Sequence, residues 1–224
     1  MSERLVVLAV TKMLSGMCTA GISLKTDKWI RPVKEFGTIL AGDMTYKDRS
    51  PIRPFDIVDF SLIKHRPKPP HIEDWTCDFV HSRPIHEGVV SDRLRLLERH
   101  SEPESPSHIL KAERSLALFE PSNLEVIFSL DSYSGKYDVR ARVAGMGDRP
   151  IAVTDIKWRA LGKTLLDGSD KLTLTSEEIR NRLRVERIFV AVGLSRLHEG
   201  RHWPLVVGVH TCPDYDAQVD YKSL

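Results

Sequence analysis

The sequence has few cysteines and no long apolar run. Its three cysteines, Cys18, Cys77 and Cys212, are odd in number and widely spaced, which excludes the disulfide framework of a small secreted domain. No run approaches the roughly 20 apolar residues that a membrane helix needs. The apolar run near the N-terminus lacks the basic region and the cleavage site of a signal peptide. We therefore expect a cytoplasmic protein with no membrane partner.

Charge of one sign is not in excess either. The chain has 33 Lys and Arg residues against 31 Asp and Glu residues, a formal net charge of +2. A protein that coats DNA without specificity is usually more basic, so any surface for nucleic acid must be local. The length allows one large or two small domains, and the hydrophobic content of 41% supplies a core.

Motifs of known catalytic chemistry are missing or incomplete. The phosphate-binding, nucleophile-elbow and dinucleotide-binding glycine patterns are absent. The triplet His71-Ile72-Glu73 matches the start of a zinc-deaminase signature, but the second half of that signature does not follow. The histidines and cysteines lack the paired short spacing of a structural zinc site. We expect no metal, no cofactor and no catalytic residue, and we favour a protein without catalysis of its own.

One hydrolase alternative stays open. Pro213-Asp214 and Asp220-Tyr221-Lys222 resemble the two acidic elements of a metal-dependent nuclease, although the gap between them is very short. A hydrolase acting on nucleic acid needs clustered carboxylates, and Asp155, Asp214 and Asp220 are the set that could form such a cluster.

Short strand patterns dominate the chain, with helical patterns between them. Alternating or continuous apolar runs between Gly and Pro turns predict strands at 5–10, 18–24, 29–33, 56–65, 75–80, 124–130, 137–143 and 151–158. Helical spacing predicts helices at 89–100, with Ser91 as N-cap, at 108–119 and at 175–183. Little helix and many short strands favour a small barrel or sandwich.

The stretch 187–215 predicts a β-hairpin with a long connector. Its apolar runs, 188–194 and 203–209, flank a connector that carries Arg196, His198, Arg201 and His202. Strand alternation puts Trp203 on the apolar face with Leu205, Val207 and Val209, which predicts a core position. Gly193 and Gly208 are the expected sites of bending or bulging. A faint echo links this hairpin to the stretch from residue 6 to residue 33, which is a weak repeat signal.

Several short motifs occur in an order that resembles a known family. The stretch KMLSGMCTAGISLKTDKWIRPV at 12–33 combines a strand-end lysine, C-x-A-G and W-I-R-P-V; later come VGLSR, G-R-H-W and V-x-G-V-H-T-x-P-D-Y. Together these motifs resemble the bacterial dual OB-fold domain family over nearly the whole chain. The resemblance implies a pair of OB-type barrels and nucleic-acid binding in a DNA-modification, mobile-element or defence context. It implies no catalytic residues.

The predicted fold is mainly β with a few helices (α+β), as two small OB-like barrels packed into one compact unit. We predict a first barrel at 1–87, a helical connector at 88–121 and a second barrel at 122–224. A barrel of this type binds oligonucleotides on one face and its loops.

We expect nucleic acid, single-stranded or locally opened, as the partner. Cations at strand ends and on the hairpin loop would hold phosphates, and tryptophans would stack on unpaired bases. The candidate binding residues are Lys12, Trp29, Arg31, Trp158, Arg159, Arg196, Arg201 and His202. The alternative is a module that binds a protein partner or senses a small nucleotide. Convergence of the cations favours nucleic acid, whereas an exposed apolar patch favours a protein.

Overall fold

The computed structural model describes residues 1–13, 16–102, 109 and 111–219. The strands are β1 (Ser2–Met13), β2 (Gly16–Ser23), β3 (Trp29–Val33), β4 (Asp56–His65), β5 (Asp74–Cys77), β6 (Ile85–Val89), β7 (Leu116–Phe119), β8 (Leu124–Leu130), β9 (Tyr137–Val143), β10 (Ile151–Val153), β11 (Lys171–Thr175), β12 (Arg187–Leu194) and β13 (Pro204–Cys212). The α-helices are α1 (Arg93–His100), α2 (Ile156–Leu166) and α3 (Ser176–Leu183), and a 3-10 turn spans Ala41–Met44.

The first sheet closes into a five-stranded barrel. Its order is β1-β2-β3-β5-β4, and β4 pairs back onto β1. Neighbouring strands are antiparallel except β3 and β5, which are parallel. Strand β6 extends the sheet beyond β4. This is the five-stranded Greek-key barrel expected for an OB-fold, and we call it the first barrel.

The second sheet repeats that strand order. It runs β11-β8-β9-β10-β13-β12-β7, and β10 and β13 are its parallel pair. Five of its strands therefore correspond to β1, β2, β3, β4 and β5 of the first barrel, in this order: β8, β9, β10, β12 and β13. Strands β11 and β7 are added at the two ends. We call this sheet with its helices the second barrel. The prediction of a mainly β fold with two OB-like units is confirmed.

The faint sequence echo does not follow this structural repeat. It aligned the run in β1 with the run in β12, but β1 corresponds to β8 and β12 corresponds to β4. Both runs are instead alike because both strands are buried on two faces. In β12, Val190 lies in the core of the second barrel, whereas Phe189 lies between the barrels.

Several local predictions are corrected. The strand predicted at 151–158 ends at Val153, because Asp155 caps helix α2 by accepting hydrogen bonds from the backbone N–H groups of Lys157 and Trp158. The last four residues of the helix predicted at 108–119 form strand β7; residues 103–108 and 110 lie outside the described residues. Helix α1 is capped by Asp92 rather than by Ser91.

The division at 87/88 and 121/122 remains a prediction. Strand β6, which ends at Val89, pairs with the first barrel, and β7, inside the predicted connector, pairs with β12 of the second. Helix α3 begins with a capping box formed by Thr175 and Glu178.

The barrels meet through an apolar interface between β1 and β2 on one side and β7, β12 and β13 on the other. Its buried side chains are Leu8, Ala9, Ala20, Ile22, Phe55, Leu97, Leu116, Leu118, Phe189, Ala191 and Val207. Strands β1 and β13 approach so closely that a Cβ on Gly208 would lie 2.5 Å from the carbonyl oxygen of Leu8.

Within the second barrel, Asp155 accepts a hydrogen bond from the Val209 N–H at 2.8 Å, and burial raises the pKa of the Asp155 carboxyl to about 6.

Within the described ranges, no helix combines the length and the apolar character that crossing a membrane requires.

The close approach at Gly208 predicts a large effect of a single methyl group. Gly208→Ala should destabilise the protein by about 1–3 kcal/mol, because the added Cβ meets the backbone of β1 and overpacks the interface. The free energy of unfolding in urea measures this cost. Gly42→Ala is the matched control, since a Cβ at Gly42 meets nothing within 4 Å. Equal stability of the two variants would contradict the proposed packing.

Candidate nucleic-acid interface

A cleft of about 400 Å3 lies where the two barrels meet. The first barrel lines it with the start of β2, the end of β3, the loop after β3 and the loop between β4 and β5 (66–73). The second barrel adds Leu194 and Arg196, which lie at the end of β12 and in the loop between β12 and β13 (195–203). We call this the inter-barrel cleft.

The carboxylate of Asp74 organises the cations of the cleft. Arg31 donates from Nε to Oδ1 of Asp74 at 2.7 Å, and its Nη2 lies 2.6 Å from the same oxygen. The second oxygen, Oδ2, lies 2.7 Å from Nη2 of Arg196. The side chains of Asp74 and Arg31 are only 5% and 7% exposed, whereas that of Arg196 is 55% exposed. Asp74 thus holds one arginine in the wall and one at the mouth.

Three further cations line the same cleft, Lys34, Arg66 and Lys68. Lys34 lies 2.5 Å from a carboxylate oxygen of Asp43. Arg66 donates from Nη1 to the carbonyl oxygen of Glu35 at 3.2 Å, which holds the loop after β3, and Lys68 is exposed on the loop 66–73. On that same loop after β3, Phe36 is 84% exposed and directly precedes Gly37, which lines the cleft. The cleft therefore carries excess positive charge, and an accessible ring lies on one of its loops.

The two loops that flank the cleft occupy equivalent positions in the two barrels. Each connects the fourth strand of its barrel to the fifth. They meet through His71 of loop 66–73 and His202 of loop 195–203, whose ring centroids are 5.2 Å apart at near-perpendicular planes. The ring Nδ1 of His202 lies 2.8 Å from the carbonyl oxygen of Ser195. Burial, with nearby Arg31 and Arg196, lowers the pKa of His71 to about 3.

The structure gathers only part of the predicted cation set. Arg31 and Arg196 meet at Asp74, and His202 lies beside the cleft against His71. Lys12 is exposed on β1, next in sequence to Met13, which lines the cleft. Arg201 instead covers the ring of Trp203, with its guanidinium carbon 3.6 Å from the ring centroid.

Two predicted residues have structural contacts that occupy them. Trp158 is fully buried in the core of the second barrel, with Tyr215 5.2 Å away between ring centroids, so it offers no face to a base and the stacking prediction is corrected. Arg159 covers the ring of Tyr137 and donates to the carbonyl oxygens of Val153 and Tyr137. Both lie on helix α2, whereas Trp158 was predicted to end a strand.

The other tryptophans have intermediate exposure. Trp29 on β3 packs against the interface between the barrels. Trp203, predicted to be core, is half-buried and precedes the first residue of β13.

The predicted bulge is present beside Gly208: Ala191 pairs with Gly208 and Val192 pairs with Val206, which leaves Val207 as the extra residue. Gly193 pairs with Leu205 outside this irregularity.

The carboxylates considered for a hydrolase have other roles. Asp155 caps α2, Asp214 pairs with Arg93 and Lys157, and Asp220 lies outside the described residues. Among residues 1–13, 16–102, 109 and 111–219, no three His, Cys, Asp or Glu side chains cluster in a way that could hold a metal ion.

The sequence prediction missed most of the cleft. It did not identify Lys34, Phe36, Arg66, Lys68 or Asp74. One signal was available, because the stretch RPKPP at 66–70 carries two cations in a proline-rich break between strands, and binding residues often lie on such loops. Asp74 had no comparable signal, since its role arises from pairing with residues of other elements.

Comparison with known proteins identifies one family. The model of the dual OB-containing domain matches residues 3–209. No curated protein and no solved structure matches the chain.

The burial of the Arg31–Asp74 pair predicts that removing Asp74 destabilises the protein more than removing the exposed Arg196. Asp74→Ala should lower the free energy of unfolding by about 3–5 kcal/mol, because it leaves the buried Arg31 without its counter-charge. Arg196→Ala should lower it by less than about 1 kcal/mol, because its side chain is mostly exposed. Urea unfolding of both variants tests this, and a small effect of Asp74→Ala would refute the organising role of its carboxylate.

The buried His71 predicts a pH dependence of stability. Its pKa is about 3 in the folded protein and about 6.5 in an unfolded chain, so below pH 6.5 only the unfolded chain binds the proton. Stability is therefore lost as the pH falls through this range. His71→Gln should reduce the loss between pH 7 and pH 5 by about 1–2 kcal/mol, measured by urea unfolding at each pH. The exposed His198 supplies the control variant His198→Gln, and the same pH dependence in both variants would count against this assignment.

Proposed function

The chain belongs to the dual OB-containing domain family, and on that premise we propose that it binds nucleic acid, single-stranded or locally opened, in the inter-barrel cleft. The observation that carries the proposal is the convergence of five cations, Arg31, Lys34, Arg66, Lys68 and Arg196, on the inter-barrel cleft. Positive charge of this kind attracts the phosphate backbone without regard to sequence.

The position of the cleft supports this function. OB-folds bind oligonucleotides on the face of their second and third strands and on the loops between strands one and two and between strands four and five. The inter-barrel cleft is lined by β2, β3 and the loop 66–73, which joins the fourth strand of the first barrel to the fifth. Arg66 and Lys68 belong to that loop.

The size of the cleft and its aromatic neighbour favour unpaired nucleic acid. A cleft of about 400 Å3 has room for a nucleotide unit but not for a double helix. Phe36 is exposed on the loop after β3 and has few contacts that would hide its ring, so an unpaired base can stack on it. In this role Arg31, fixed by Asp74, binds a phosphate, and Arg196 closes on the same group from the second barrel.

The charge distribution favours nucleic acid over a protein partner. The charged side chains that line the cleft are mainly cations, five against the one carboxylate of Asp74. Phe36 and Leu197 are single exposed apolar residues, each next in sequence to a residue that lines it. Single exposed apolar side chains are ordinary on protein surfaces. We place the protein in the bacterial cytoplasm as an accessory factor of a DNA-modification, mobile-element or defence system, the setting that the family resemblance implies.

Two charge-removing variants test the proposal. Arg66→Ala with Lys68→Ala should weaken binding of a short labelled single strand about tenfold, because two phosphate contacts are lost. The slope of log affinity against log salt should fall by about 0.7 for each contact. Fluorescence anisotropy at several salt concentrations measures both quantities.

The second barrel supplies a matched control. Lys171→Ala with Arg182→Ala removes the same two types of cation from exposed positions away from the cleft, and this variant should bind as the wild type does. Absence of binding by the wild-type protein at low salt refutes the proposal. Equal losses in the two double variants refute the assignment of the cleft.

A further inference from the structure

Within the proposed function, and resting on it, we infer that the inter-barrel cleft recognises a terminal phosphate of a nucleotide, as a phosphate monoester or a polyphosphate. The internal phosphodiesters of a strand would then add only general attraction. The argument rests on the charge, the size and the walls of the cleft.

The cleft holds more positive charge than one phosphodiester can balance. Three of its five cations pair with two carboxylates: Arg31 and Arg196 with Asp74, which lines the cleft, and Lys34 with Asp43. Five positive charges against two negative charges leave an excess of three. A phosphodiester carries one negative charge, whereas a phosphate monoester carries about 1.5 to 2 negative charges at pH 7. A polyphosphate carries more. The excess therefore suits a phosphate that ends a chain.

The volume of the cleft limits how many phosphates enter it. About 400 Å3 lies at the low end of the range for pockets that hold one small molecule. One nucleotide unit fits such a space, and a single terminal phosphate there can meet the three charges.

The donors are arranged for a group with several acceptor oxygens. Arg31 and Arg196 bind different oxygens of the Asp74 carboxylate. Each guanidinium carries five N–H donors in a rigid fork that suits two-point binding of phosphate. Arg196 is mostly exposed, so it can contact a phosphate at the mouth, while Arg31 stays fixed in the wall.

The remaining wall is apolar, which favours a nucleotide over a free inorganic anion. Met17, Val33 and Leu194 line the cleft beside the cations, and they can contact the sugar or the base. Another groove of the first barrel shows the contrast. Among the described residues its walls carry two cations, Arg4 and Lys25, against the carboxylate of Glu3. Its excess of one positive charge is smaller than that of the inter-barrel cleft.

A set of oligonucleotides that differ only at one end tests the inference. Short strands of one sequence, labelled at the 3′ end, carry a 5′-hydroxyl, a 5′-monophosphate or a 5′-triphosphate. Matched strands carry the label at the 5′ end and a 3′-phosphate or a 3′-hydroxyl. We expect a terminal phosphate at the recognised end to tighten binding about tenfold or more in fluorescence anisotropy.

Variants tie that preference to the cleft. Arg196→Ala should reduce the preference for the phosphorylated strand to about twofold, because it removes the arginine at the mouth while the buried Arg31–Asp74 pair stays intact. The control Lys171→Ala should keep the full preference. If both variants keep it, the assignment of the terminal phosphate to the cleft is refuted.

Free nucleotides separate the two sources of a terminal phosphate. A nucleoside triphosphate or monophosphate that binds as tightly as the phosphorylated strand, measured by calorimetry, identifies the free nucleotide as the source. A strand that binds much more tightly identifies the end of a nucleic acid, and either result supports the inference. Equal binding of phosphorylated and hydroxyl strands overturns the inference but leaves the proposed function intact. Absence of binding to every strand overturns the proposed function itself.

Discussion

Two adjacent buried carboxylates fix the arrangement of the barrels. Glu73 accepts hydrogen bonds from the N–H and hydroxyl of Ser115, each at 2.9 Å, and from the N–H of Leu116 at 3.1 Å. Asp74, the next residue, binds Arg31 and Arg196. Successive side chains of an extended chain point to opposite sides, so one carboxylate anchors β7 while the other shapes the cleft. A buried carboxylate without partners is strongly unfavourable. Arg31 belongs to the same barrel as Asp74, whereas docking of the second barrel supplies Arg196 and the donors to Glu73.

The same arrangement explains how positive charge persists at the cleft. One carboxylate faces two guanidinium groups, so pairing cannot neutralise both. Arg31 is fixed by burial, and charge–charge interactions there are stronger than in water because the surroundings are less polarisable. A ligand that meets Arg31 therefore does not have to order that side chain, which lowers the entropic cost of binding. The stability of the interface and the affinity proposed for the cleft would depend on the same carboxylate.

Local sequence patterns predicted the strands better than they predicted the site. The strands at 56–65, 124–130 and 137–143 have the predicted bounds, because alternation with period two is a property of neighbouring residues. Helix α2 was missed because the apolar residues Ile156 and Trp158 also alternate, and the capping role of Asp155 outweighed that pattern. Arg31 was predicted from the W-I-R-P-V motif, and Arg196 was predicted from the connector of the C-terminal hairpin. Their common partner Asp74 was not, since the parallel pairing of β3 with β5 brings it to Arg31 across 43 residues.

The repeated strand order gives a physical reason for two barrels in one chain. The loops 66–73 and 195–203 are equivalent in the two barrels, and they meet at His71 and His202. The first barrel alone supplies Arg31, with the cations of its own loop, but it lacks the arginine at the mouth. The second supplies Arg196 and the apolar wall at Leu194. Since the interface that brings these loops together is closely packed and apolar, the cleft gains its mouth arginine and the wall at Leu194 only when both barrels have folded and docked. The proposed binding site is therefore completed by the pair, and neither barrel contains all of it alone.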